Sequence, residues 1–183
     1  MDEILQRLDH ESELALASLL GRKIQTLMSE SADIEIGHST IDVLSVSIQL
    51  DKKHFAVIES DWADTPKEWL DYHSLSVRIA RSPKGIKYNP KPPRNGANYT
   101  FDHLSVHLGA EAAIATIDVL EAREVGEFES VAYDAGLIVT LDDDIRFAIV
   151  RTESIIGSLK IAHASEDIDR LASGLRVRAR YGA

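Results

Sequence analysis

Residues 54–60 read HFAVIES and residues 146–152 read RFAIVRT, so the chain writes nearly the same strand twice, about ninety residues apart. Both are β-branched and apolar, and each follows a polar turn and a second apolar run: VLSVSIQL and DKK (43–53) before the first, GLIVTL and DDD (136–144) before the second. Two apolar runs bracketing a short polar turn predict a β-hairpin. In VLSVSIQL, Leu44, Val46, Ile48 and Leu50 alternate with Val43, Ser45, Ser47 and Gln49, which predicts a half-buried strand.

The likeness extends outward from the hairpins. HSLSVRI (73–79) is matched by GSLKIAH (157–163), and LGRKIQTLMSE (20–30) by LGAEAAIATIDVLE (108–121). Four segments corresponding in one order point to an internal duplication. The fold expected is α+β: a β-rich pair of four-strand units with short helices, related by a pseudo-twofold axis and preceded by an N-terminal helix. Residues 1–80 hold the first copy and residues 101–183 the second. Residues 81–100 are a proline-rich basic linker or loop, because four of the five prolines fall between 80 and 100. A four-strand unit alone has a thin core and open edges, so the copies are expected to pack as one compact unit.

Three helices are predicted. Residues 3–20 place leucine and isoleucine at helical spacing, with Gly21 as a stop. Thr65, Pro66 and Glu68 fit a capping box with proline at the first helical position, giving a short helix at 66–72. Ser165 caps a helix at 166–173 that Gly174 stops, and the strand LRVRARY then lines Arg176, Arg178 and Arg180 on one face.

The 183 residues carry a net charge of -10 and no cysteine. Disulfides, thiolate metal sites and a cysteine nucleophile are thereby excluded. The acidic opening MDEILQRLDHESEL is not that of a signal peptide, and no apolar run reaches membrane-spanning length. A cytoplasmic protein with no membrane partner is the expectation. The charge disfavours nucleic acid and favours a basic protein partner. It is unevenly spread: between Asp71 and Asp102 there is no acid, while Arg78, Arg81, Lys84, Lys87, Lys91 and Arg94 occur. That basic stretch with Tyr88 and Tyr99, and the Arg176/Arg178/Arg180 stripe, could bind single strands, but neutralisation of an acidic body is the reading the overall charge favours.

Both tryptophans lie in ESDWADTPKEWLDY (59–72), among five acids. Glu59, Asp61, Trp62, Asp64, Glu68, Trp69 and Asp71 form a candidate partner-binding surface, since aromatic anchors with a charged rim concentrate binding energy. The plainer reading has Trp69 anchoring the short helix. His103 and His107, with Glu111 or His73 as a third ligand, are a candidate zinc set, although HLSVH lacks the glutamate of a metalloprotease and metal-free histidines are the simpler account. Asp142, Asp143 and Asp144 fail the calcium-loop pattern and read as a hairpin turn. Glycine loops for nucleotides and a serine nucleophile elbow are absent. The function expected is therefore a non-enzymatic acidic binding module, most concretely an immunity or antitoxin-type inhibitor that occludes a basic partner such as a nucleic-acid-attacking toxin. No cofactor is required by this reading. The alternatives are a metal-dependent enzyme or ligand-binding protein using His103 and His107, and a structural subunit that self-associates through sheet edges.

Overall fold

Apolar strands with both faces to bury need neighbours above and below as well as beside them, and the architecture follows from that demand. The structure, a computed structural model, describes residues 2–34, 39–87 and 103–182. These form β1 (Asp2–Gln6), α1 (His10–Leu19), β2 (Lys23–Ser29), β3 (Asp33–Ile34), β4 (Ile41–Val43), β5 (Ser45–Gln49), β6 (Phe55–Asp64), β7 (Asp71–Ala80), β8 (Leu104–Val125), β9 (Glu129–Leu141), β10 (Arg146–Arg151), β11 (Leu159–Ala162), α2 (Ser165–Ala172) and β12 (Arg176–Tyr181).

The strands join in the order β3-β4-β11-β10-β9-β8-β2-β5-β6-β7, with β1 beside β9 and β12 beside β8. All pairings are antiparallel except β1 with β9, which is parallel with Asp2 opposite Glu129. Strand β8, 22 residues long, is the seam. Its first part pairs with β2, and from Ile114 onward it pairs with β9. Val46, Ile48, Ile58 and Val77 from one stretch of sheet meet Ile117, Val119, Val139 and Ile149 from the other, with Leu16 and Leu19 of α1, in one core. Neighbouring residues point the opposite way. There Leu120, Ile138, Ala148 and Val150 are covered by Ile168 and Leu171 of α2.

Helix α1 is capped by Asp9, whose carboxylate accepts the Ser12 N–H at 2.7 Å, a contact that stabilises by about 1 kcal/mol. Gly21 follows at φ +72°, where a side chain would strain the turn. Strand β7 ends the sheet order, and the Ser12 hydroxyl accepts its Val77 N–H at 3.0 Å, so the helix satisfies part of that edge.

The α+β, pseudo-twofold duplicated unit does not describe this molecule. It is one large, mainly antiparallel sheet of twelve strands with two helices among the described residues, of ten and eight residues. The helices are not equivalent, since one precedes β2 and the other lies between β11 and β12. Strands also cross between the halves: β4 pairs with β11 and β1 with β9. The matched segments are strands, and a likeness among strands carries no information about where helices sit.

Three local expectations also change. Residues 2–6 are strand β1, and the first helix begins only at His10. Strand β5 is buried on both faces, Ser45 and Ser47 included, because the segment containing Ile86 covers its outer side and the Ser47 hydroxyl accepts the Lys84 N–H at 3.0 Å. Residues 66–72 form a turn and the start of β7 rather than a helix. No helix among the described residues is long and apolar enough to cross a membrane.

Candidate functional site

Strand β6 runs on beyond the core, and its last residues pair with β7, Trp62 opposite His73 and Asp64 opposite Asp71. Cross-strand partners share a face, so Trp62 and His73 project to the same side. The connection between these strands is closed by its own backbone: Thr65 N–H donates to the Leu70 carbonyl at 3.0 Å, Trp69 N–H to the Thr65 carbonyl at 3.2 Å, and Leu70 N–H to the Thr65 hydroxyl at 3.1 Å.

This turn is clamped to the β8–β9 turn by two carboxylates acting in opposite directions. Glu68 accepts the N–H groups of Glu127, Phe128 and Glu129 at 2.8, 2.8 and 2.6 Å. Glu129 accepts those of Lys67 and Glu68, both at 3.0 Å. The N–H donors hold the Glu68 carboxyl below its ordinary range. Burial opposes charge on Glu129, but the Thr65 hydroxyl and the two N–H groups outweigh it, and its carboxyl too lies low. The clamp fixes Trp69 at φ +58° with 72% of its surface exposed.

Beneath Trp69 lies a cleft of about 390 Å³, within the range of small-ligand and side-chain pockets. Trp62, Trp69 and Asp71 form one wall, Glu153, Ser154 and Ile155 the other, and His73, Tyr133 and Arg151 the floor, with Glu124 at the rim. The second wall cannot stand back from β6. A Cβ on Gly157, which has φ +71°, would fall 2.0 Å from the Ser60 carbonyl oxygen.

The floor is ordered by ring contacts. The Arg151 guanidinium lies 5.5 Å from the centre of the Tyr133 ring, a cation–π arrangement, and the His73 ring lies 6.0 Å from the same ring, tilted by 41°. Arg151 is only loosely paired, at 3.8 Å to Glu124 and 3.8 Å to Glu153, and its Nε is buried without a partner. His73 is 3% exposed, with Nε2 3.4 Å from the Ser154 carbonyl oxygen and Nδ1 without a partner. Burial pushes its pKa down, and the nearby Arg151 charge adds to this against the Ser154 contact, so the imidazole is neutral at pH 7. Burial pushes the Tyr133 hydroxyl up.

Of the seven residues predicted to bind a partner, the cleft brings together Trp62, Trp69 and Asp71, with the Trp62 indole N–H donating to Asp71 at 3.1 Å. Glu59 is engaged elsewhere, at 2.9 Å from Lys84 and 3.3 Å from Arg78. Glu68 serves the clamp. Asp61 is exposed and Asp64 half-buried on β6, outside the cleft lining. Tyr133, Arg151, Glu124 and Glu153 carry no local sequence signal for a site, since only the sheet brings β8, β9 and β10 to the β6–β7 turn.

The candidate metal ligands fall on extended chain. His103 directly precedes β8, His107 lies on it with Nδ1 3.2 Å from the Thr26 hydroxyl, and Glu111 lies beyond Gly109, where the pairing with β2 shifts. On a strand, residues four apart have Cα atoms roughly 13 Å apart, so the close approach that a helix would give this spacing is not present. No group of three or more His, Cys, Asp or Glu side chains suited to a metal occurs among the described residues. In the aspartate turn, Asp142 accepts the Ala113 N–H at 2.9 Å, Asp143 accepts the Ile145 N–H at 3.2 Å, and Asp144 takes φ +66°.

The arginine stripe is paired internally. Arg176 meets Glu121, Arg178 grips Asp134 at 2.6 and 2.9 Å, and Arg180 grips Asp118 at 2.6 and 2.9 Å. The rest of the basic segment, with Tyr88, Lys91, Arg94 and Tyr99, lies outside the described residues. Comparison with protein-family models, curated proteins and solved structures yields no match for this chain.

Proposed function

We propose that this chain is a non-enzymatic protein-binding module for a basic partner, with the Trp69 cleft as its contact. The carrying observation is Trp69 itself: a large aromatic held 72% exposed in a left-handed backbone conformation by the Glu68–Glu129 clamp. Exposing an indole forgoes its burial, and a bulky residue at positive φ costs about 1–3 kcal/mol. A partner that buries the indole recovers the first of these. Ile155 and Ile156, 75% and 68% exposed, extend the apolar surface, and Asp71, Glu124 and Glu153 give it an acidic edge. An apolar anchor inside a charged rim gives affinity through the anchor and fast, salt-dependent association through the rim.

The most concrete form of the proposal is an immunity or antitoxin-type inhibitor, because proteins that attack nucleic acid need basic surfaces to hold phosphate. Capture from lysate of the producing cell, using the wild-type chain and Trp69→Ala side by side, tests it. The expected result is one stoichiometric, basic, salt-sensitive partner held by the wild type and lost by the variant. A partner held equally by both removes this cleft as the contact. A captured partner whose activity is unchanged by the bound chain removes the inhibitor form and leaves the binding module.

A further inference from the structure

We infer that the cleft receives an arginine side chain of the partner protein, its guanidinium laid against the Trp62 and Trp69 indoles and paired with Asp71, Glu124 and Glu153. This rests on the binding-module reading above and specifies what the cleft takes.

Charge is the first argument. Three carboxylates and one guanidinium line the cleft, and His73 is neutral, so the site carries an excess of two negative charges within a chain of net charge -10. A cation is attracted and an anion repelled. The second argument is the state of the existing pairs. Arg151 stands 3.8 Å from each of Glu124 and Glu153, beyond hydrogen-bonding distance, and Glu153 is 91% exposed, so these carboxylates retain acceptor capacity. His73 supplies a third. It lines the same cleft, and its Nδ1 has no partner although the side chain is 3% exposed.

The choice of guanidinium over ammonium rests on shape. The floor already holds one guanidinium against a ring, Arg151 on Tyr133 at 5.5 Å. Among the described residues neither tryptophan is stacked on a ring or a cation, and Trp69 is 72% exposed, so its indole is open to such a contact. A guanidinium is planar, weakly hydrated and able to bond two carboxylates while stacked, whereas an ammonium is a compact, strongly hydrated point charge. The exposed Ile155 and Ile156 beside the cleft call for apolar residues flanking the arginine, which a polypeptide supplies and a free cation does not.

The test uses the intact chain and the acetylated, amidated peptide Gly-Leu-Arg-Leu-Gly, with counterparts carrying lysine or norleucine at the centre, and arginine amide alone. The chain has two tryptophans and both line the cleft, so tryptophan emission, excited at the red edge where the five tyrosines do not absorb, reports this site. The arginine peptide is expected to saturate, roughly tenfold more tightly than the norleucine peptide and more tightly than the lysine one. Glu153→Gln is expected to weaken it about threefold to tenfold at low salt, and the difference to shrink as salt is raised. Because Glu153 is 91% exposed, that change leaves the core untouched. Equal binding of all three peptides, or none, overturns the inference, and so does arginine amide binding as tightly as the peptide. If the peptides fail while a captured partner still depends on Trp69, the arginine is wrong and the binding module stands. If both fail, the cleft is not an interface.

Discussion

Trp69 sits where a glycine would be at ease. At φ +58° a Cβ crowds the backbone, and Asp144, the other non-glycine residue at positive φ among those described, is of a type that tolerates this region. The neighbours of Trp69 over-determine its position, through Thr65 on one side and the Glu68 clamp on the other. If the indole is there for a partner, removing it should cost binding and not folding. Trp69→Gly is therefore expected to raise stability by about 1 kcal/mol, read as a higher urea midpoint with unchanged slope, while partner capture is lost. A fall in the midpoint would mean that the indole supports the fold instead. The sequence marked this residue and Trp62 through their acidic surroundings. It could not mark His73 as floor, or Arg151 at all, because an arginine at a strand end looks the same whether it meets solvent or a tyrosine ring.

The strands of hairpins β5–β6 and β9–β10, and β7, were legible because turn chemistry and apolar runs are local signals. The 65–70 turn was misread for a reason that is not local. A Thr-x-x-Glu box caps a helix only if the glutamate returns to the threonine N–H, and here that N–H goes to Leu70 while Glu68 reaches the β8–β9 turn. A helix of seven residues has little stability of its own, so five long-range carboxylate bonds decide the matter. The clamp also requires a glycine opposite it, because a Cβ on Gly126 would lie 2.3 Å from Glu68 Oε2. Gly126→Ala is thus expected to expel the Glu68 carboxylate and free the turn. Amide hydrogen exchange at residues 127–129 should accelerate at least tenfold, with a smaller change in the β9–β10 hairpin. Unchanged protection at 127–129 would show that Glu68 does not hold the two turns together.

At the scale of the whole molecule, buried ion pairs tie the first and last strands to the middle of the sheet. Glu121 of β8, 2% exposed, is met by Arg7 after β1 and by Arg176 of β12. Asp134 of β9, 1% exposed, holds Arg178 by two hydrogen bonds and accepts the Leu8 N–H at 2.8 Å. The net charge pointed to internal neutralisation, and the arginine stripe fits it residue by residue. The carboxylates it meets could not be chosen in advance, because the pairing follows from the register of β12 on β8. Burial of Glu121 opposes its charge, but Arg176 and Arg7 outweigh that penalty and lower its pKa. A carboxyl lowered in the folded state binds its proton more readily when unfolded, so its stabilisation is complete above the ordinary glutamate range and fades as pH falls toward the folded value. Glu121→Gln is expected to cost about 2 kcal/mol at pH 7, below the usual figure for a broken buried pair because Arg176 is 69% exposed. The gap between wild type and variant should narrow as pH is lowered from 5 toward 3. Denaturant midpoints at each pH measure it, and a gap that stays constant into acid would show that the Glu121 charge does not hold the terminal strands to the sheet.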